Sequence, residues 1–250
     1  IETEKKIRGT ELPILIKCDR DIIDGSTQEI LDKASLAKNR NMQTFLINYN
    51  FGPNATEYFE TNKEDGLLVY GLFLIEVLKL HRKGYAHLDL KPDNFCILKK
   101  PSGNIEVNLI DFGSTIGPKT QNNTYSITDL NKGTFGFNTN EQFIGGPYTM
   151  YELQQMDIFA CRRIFTHLFG ELDDTIKQII APKLGISDFN GELAKQEKEA
   201  TITSQSKEEL SEIPNQLTSI KKIESVNLED VIDSVHDVLP EGQKKVLKDT

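Results

Sequence analysis

From Leu67 to Leu80 the chain is almost continuously apolar, broken among charged residues only by Glu76 and Lys79. Apolar side chains nearly all round predict a helix buried in a larger body, and Gly84 just beyond the run suits a helix C-terminal cap. The stretch is too short for a bilayer span and carries two charges. Upstream, "TELPILIK" (10–17) and "TFLINYNF" (44–51) have the apolar and alternating patterns of strands. Between them "GSTQEILDKASLAKN" predicts one helix, with Ser26 or Thr27 as cap and Ile30, Leu31, Ala34 and Leu36 at helical spacing. Downstream, "FCILKK" and "NIEVNLI" form a predicted hairpin about the turn Pro101-Ser102-Gly103-Asn104.

The rest alternates polar and helical stretches. A polar loop is expected from Ser114 to Lys132 and a helix over Asp157–Leu168. Residues 190–225, rich in Lys, Glu, Ser and Gln, are expected to be a surface excursion or linker. "NLEDVIDSVHDVL" then resumes amphipathic helical spacing, and no internal repeat is found. The expected fold class is therefore α+β and bilobal. A small N-terminal β-sheet lobe with one helix spans residues 1–61, and a larger, mainly helical lobe spans 62–250.

Composition narrows the function classes. Of 250 residues, 38% are apolar and 27% charged, enough for a buried core. The net charge of −9 argues against nucleic acid or an anionic membrane as main partner, since both need a basic surface. Three widely spaced cysteines (Cys18, Cys96 and Cys161) and four unpaired histidines speak for a reducing compartment and against disulfide or zinc scaffolds.

The candidate chemistry lies in "HLDLKPDNF" (87–95) and in "LIDFGS", whose Asp111-Phe112-Gly113 follows Asp89 by 22 positions. Phosphoryl transfer needs a carboxylate to orient a hydroxyl and take its proton, a cation near the transferred phosphate, and hard oxygen ligands for magnesium. Asp89 can be that carboxylate, Lys91 that cation, and Asn94 and Asp111 the oxygen ligands.

These motifs resemble the catalytic loop and D-F-G signature of eukaryotic-type protein kinases. The resemblance implies Asp89 as catalytic base, Lys91 at the γ-phosphate, and Asn94 and Asp111 as ligands of Mg²⁺ or Mn²⁺. It further implies that Lys17 touches the α/β-phosphates of ATP, paired with Glu29 or, in a rival register, Asp32. His87 and Phe112-Gly113 would support the site. In "KGTFGFNTNEQ", similar to the end of an activation segment, Thr134 would face the substrate side and Glu141 would close the segment. In "DIFACRRIF", Asp157 would hydrogen-bond the catalytic-loop backbone. Lys91 fits the serine/threonine pattern, and "KPDNF" with "KKPSGN" is similar to the casein-kinase-one and vaccinia-related-kinase branch.

The chain also departs from the pattern. No glycine-rich loop is visible, and counting back from Lys17 places it before Ile1, as in a fragment. Leu88 replaces the arginine that reads an activation-loop phosphate, which implies activity independent of such phosphorylation. Glu141 would need a basic partner, and because no arginine follows Arg163, Lys244 or Lys245 is expected to supply it. The resemblance thus implies a protein serine/threonine kinase in the cytoplasm or nucleus, or in a host cytosol if the source is a pathogen. Its partners would be ATP, a protein substrate and a regulatory protein. A pseudokinase serving as nucleotide-binding scaffold is the second reading. A small-molecule phosphotransferase of aminoglycoside or choline kinase type is the third.

Overall fold

A computed structural model describes residues 52–118, 124–125, 134–144, 146–201, 218–220 and 225–248. All lie in the unit of the chain that begins at Gly52. The strands and helix expected over 1–51, with Lys17, Glu29 and Asp32, lie outside the described residues.

The described unit is α+β and mostly helical. Its elements in order are α1 (Ala55–Phe59), α2 (Gly66–Arg82), β1 (Phe95–Lys99), β2 (Ile105–Leu109), β3 (Thr124–Tyr125), α3 (Glu141–Ile144) and β4 (Tyr148–Thr149). Then come α4 (Met150–Leu168), α5 (Asp174–Lys183), α6 (Phe189–Thr201), α7 (Leu228–Val238) and α8 (Glu241–Lys248). Two small antiparallel sheets, β1–β2 and β3–β4, complete it.

The apolar run becomes α2 as its pattern requires, with ten of its residues buried. It ends where Gly84, at φ +78°, donates its amide to the His81 carbonyl, a left-handed conformation that glycine adopts without a Cβ clash. Phe73 of α2 stacks on Phe95 of β1 at 4.5 Å, and Tyr70 meets Phe165 of α4 at 5.3 Å. The Tyr70 hydroxyl donates to the Cys161 carbonyl at 3.0 Å, so a buried polar group is satisfied inside this aromatic core. Gly71 lets α7 and α8 approach: a Cβ there would sit 2.9 Å from Leu247 and 3.1 Å from Val235. Residues 52–61, grouped with the first lobe by sequence, pack on the hairpin of the second unit, with Ile97 N–H bonded to Pro53 O at 2.9 Å.

Two expectations change. The helix foreseen from Asp157 starts seven residues earlier, because Thr149 and Glu152 form a reciprocal capping box: Glu152 N–H donates to Thr149 Oγ1 at 3.2 Å and Thr149 N–H to Glu152 Oε2 at 2.8 Å. The linker foreseen over 190–225 is, in its first part, the helix α6, with Gln196 and Glu199 buried against α4. Its polar composition hid this, because its buried side chains are themselves polar. Glu199 accepts from Arg163 Nη2 at 2.8 Å, and Gln196 Oε1 accepts from Thr166 Oγ1 at 2.6 Å.

Candidate functional site

The loop from Ala86 to Asn94 joins α2 to β1 and is anchored from several sides. Ala86 exchanges two backbone hydrogen bonds with Ile116, both 2.9 Å. Asp157, buried on α4 at 1% exposure, accepts the amide of His87 on one oxygen and the amide of Leu88 on the other, each at 2.7 Å. His81 of α2 donates its Nε2–H to Asp157 Oδ2 at 2.9 Å. These bonds hold Leu88 at φ +66°, a left-handed conformation that costs a residue with a Cβ about 1–2 kcal/mol. Gln142 of α3 finishes the clamp: its Nε2 donates to Leu88 O at 2.9 Å and its Oε1 accepts from Thr139 N–H at 3.0 Å.

His87 is fully buried beside Phe112, ring centroids 5.2 Å apart. Its Nε2–H donates to Ile110 O at 3.0 Å. Burial outweighs the nearby carboxylates and pulls its pKa below the usual imidazole value. A neutral, fixed ring fits the hydrogen bond it makes, and a supporting part rather than a proton carrier.

Asp89 follows directly. Asn94 Nδ2 donates to its backbone oxygen at 2.7 Å and to Oδ2 at 2.9 Å. Lys91 Nζ lies 3.8 Å from Oδ2 and donates to Thr134 Oγ1 at 2.8 Å, while the Thr134 hydroxyl lies 3.5 Å from Asp89 Oδ1. Carboxylate, ammonium and hydroxyl thus converge within one group. Burial raises the Asp89 pKa above the ordinary carboxylate value, with Lys91 and Asn94 pulling the other way.

Asp111 adopts the left-handed region at φ +57°, with Oδ1 accepting Gly113 N–H at 3.3 Å, the local bond that lets aspartate tolerate this conformation. Ile110 N–H bonds Asn94 O at 2.9 Å, tying the end of the hairpin to the loop from Ala86 to Asn94. Asn94 spends its amide nitrogen on Asp89, which leaves its side-chain oxygen with acceptor capacity for a cation. Asp111 is exposed and could carry a hydrated one. Among the described residues there is no cluster of three or more His, Cys, Asp or Glu side chains that could hold a metal.

The structure therefore brings together Asp89, Lys91, Asn94 and Thr134, with His87, Phe112 and Asp157 around them; Lys17 and Glu29 lie outside the described residues. The expected lysine partner of Glu141 is a correction. Glu141 accepts from Ser219 Oγ and, at 3.1 Å, from Ile220 N–H, whereas Lys244 pairs with Glu241 at 2.7 Å. A buried carboxylate needs donors, not necessarily a cation, and a hydroxyl with a backbone amide supplies them. Sequence reasoning missed Gln142 and His81. The only available signal was an aspartate inside an otherwise apolar helix face, which must find donors when buried.

No family model matches the chain. Over 122 residues, 46% of its length, the chain is 30% identical to the probable serine/threonine-protein kinase gdt2 of Dictyostelium discoideum. That stretch spans 7% of the length of this relative. No helix among the described residues is long and apolar enough to cross a membrane. What these findings carry is a kinase-like relationship over about half of the chain.

Proposed function

We propose that the chain is the catalytic region of an ATP-dependent protein serine/threonine kinase. The observation that carries the reading is the Thr134 hydroxyl held between the Lys91 ammonium at 2.8 Å and the Asp89 carboxylate at 3.5 Å. This is the local environment an attacking alcohol requires: an acceptor for its proton beside a cation for the phosphate it attacks. The similarity to a probable serine/threonine-protein kinase supports the same class.

In this reading the substrate hydroxyl oxygen attacks the γ-phosphorus of ATP, the bond to the β,γ-bridging oxygen breaks, and ADP departs. Asp89 orients the hydroxyl and accepts its proton late, and its raised pKa makes it a better acceptor than an exposed carboxylate. Lys91 balances charge on the transferred group. Asn94 and Asp111 would hold Mg²⁺ or Mn²⁺, which supplies charge neutralisation on the phosphates. Lys17 and Glu29 would serve the α/β-phosphates, as the sequence resemblance implies.

The test is paired. Asp89→Asn should keep ATP binding within about threefold while turnover on a generic protein falls by about three orders of magnitude; Asp111→Asn should instead weaken Mg-ATP binding. Unchanged turnover in Asp89→Asn refutes the base assignment. Nucleotide binding without transfer by the parent chain favours the pseudokinase reading, and transfer to an aminoglycoside or choline but to no protein favours the small-molecule one.

A further inference from the structure

We infer that Leu88 is a positioning residue for the transfer step: an apolar lock that fixes the backbone leading into Asp89 to the segment following Asp111, with no phosphate group required. The inference deepens the kinase reading and rests on it.

The Leu88 side chain is 5% exposed and lies in a cluster with Ala86, Tyr125, Tyr148, Leu153 and Met156, against which Ile116 and Ile220 also pack. These residues come from the catalytic loop, from the strands β3 and β4, and from α4. β3 and β4 are themselves paired, Tyr125 opposite Tyr148. Two residues before Leu88, Ala86 is bridged to Ile116 in both directions. Segments far apart in sequence thus meet in one apolar cluster that includes the side chain adjacent to Asp89.

The polar bonds at Leu88 run through its amide to Asp157 and through its carbonyl to Gln142. Any residue could make them, because they are backbone bonds. What leucine adds is an apolar body buried in the cluster, which reinforces the left-handed backbone at φ +66° that the bonds to Asp157 and Gln142 hold. Removing the side chain leaves the amide and carbonyl their partners but removes the weight that keeps them in place. The carboxylate one residue on would then sample positions away from Lys91 and Thr134. Misplacing a catalytic group by about 1 Å can lower turnover by about a hundredfold. Because the fixation is by packing, it works in the unmodified chain.

The experiment uses the full chain, dephosphorylated with a broad-specificity phosphatase and checked by intact mass. It measures transfer from Mg-ATP to casein, together with amide hydrogen exchange resolved by residue. The dephosphorylated parent should keep turnover within about twofold of the untreated protein, while Leu88→Ala should lower kcat about ten- to a hundredfold and move the KM for ATP less than threefold. Exchange at the Ala86 and Ile116 amides should quicken at least about tenfold in Leu88→Ala, while Phe73 and Val77 in the middle of α2 stay protected. Leu88→Met, apolar and of similar volume, should restore most of the turnover. Parent-like turnover in Leu88→Ala overturns the proposal. So does loss of turnover on dephosphorylation, or exchange that quickens equally in α2, which would mean general destabilisation. If the parent transfers no phosphate to casein, the kinase reading and with it the positioning role fail. The lock as a packing device is then decided by exchange alone, local quickening at Ala86 and Ile116 upholding it and unchanged exchange ending it.

Discussion

Replacing Asp157 by asparagine is the sharpest structural test of how the loop from Ala86 to Asn94 is held. The carboxylate is 1% exposed and accepts three donors: His87 N–H and Leu88 N–H at 2.7 Å on separate oxygens, and His81 Nε2–H at 2.9 Å on Oδ2. Asparagine keeps the shape but offers one acceptor oxygen; its amide nitrogen must then face an N–H donor. Whichever way it turns, at least one backbone amide of the loop loses its partner in a dry site. A hydrogen bond to a charged acceptor contributes about 1.5–3 kcal/mol, and an orphaned buried donor costs about 1–3 kcal/mol. Together the change should cost about 3–5 kcal/mol, against a total stability of about 5–15 kcal/mol for a domain. For a unit of this size each kcal/mol moves Tm by about 2–4 °C, so a fall of about 6–20 °C is expected. With no tryptophan in the chain, far-UV circular dichroism is the natural probe of the melt. A fall of less than about 3 °C would mean that the loop is held without this carboxylate and that the account of Leu88's conformation is wrong.

Two further outcomes follow from burial. If Asp89 is the base it must be ionised to accept a proton, and its raised pKa in the free chain places the acid limb of kcat/KM above the ordinary aspartate value of about 3.9. Asn94 favours the ionised form through its 2.9 Å bond, so Asn94→Ala should shift that limb to still higher pH at saturating metal; a shift to lower pH would contradict the assignment. Arg163 is fully buried and paired with Glu199 at 2.8 Å; desolvation lowers the arginine pKa and raises the glutamate pKa, so burial outweighs pairing on both sides. Arg163→Met should cost about 3–5 kcal/mol in urea unfolding by stranding Glu199, and adding Glu199→Leu should recover most of it; a double variant no more stable than the single one rules this out.

The helices that bury an apolar stripe were readable in the sequence. α2 announced itself by a nearly continuous apolar run with Gly84 just beyond it, and α7 by Leu228, Val231 and Val235 at helical spacing, all three buried. The β1–β2 hairpin was readable because its turn residues carry their own signal, and the pairing found, Phe95 with Leu109 through Lys99 with Ile105, closes on that turn. α6 was not readable. Its interior face carries Gln196 and Glu199, and polar side chains look solvent-bound until the partners that satisfy them, Thr166 and Arg163, are seen on another helix. The same reason misled the search for a partner to Glu141. Counting cations along the chain cannot reveal that a serine hydroxyl and a backbone amide will do. Of the candidate site, the motif residues were legible because their types and spacing encode chemistry. The residues that hold them were not, since Gln142 acts through a carbonyl and His81 through another side chain.

This division has a physical basis. A group with the role proposed for Asp89 has to meet a substrate, so it cannot be locked by complete burial; the Asp89 side chain remains 13% exposed. Its position must be inherited from residues that can be buried, and His87, Leu88 and Asn94 are. His87 is fixed by Ile110 and Phe112, Leu88 by Asp157, Gln142 and its apolar cluster, and Asn94 by a turn whose amide bonds Lys91 O at 2.9 Å. The anchors come from α2, α3 and α4, so the precision of the loop is borrowed from the helical core. Substitutions that loosen the N-terminal half of α4, around Leu153, Met156 and Asp157, should therefore reduce turnover before they unfold the chain. Substitutions of similar size on α5, which packs against α7, should affect stability and turnover only together.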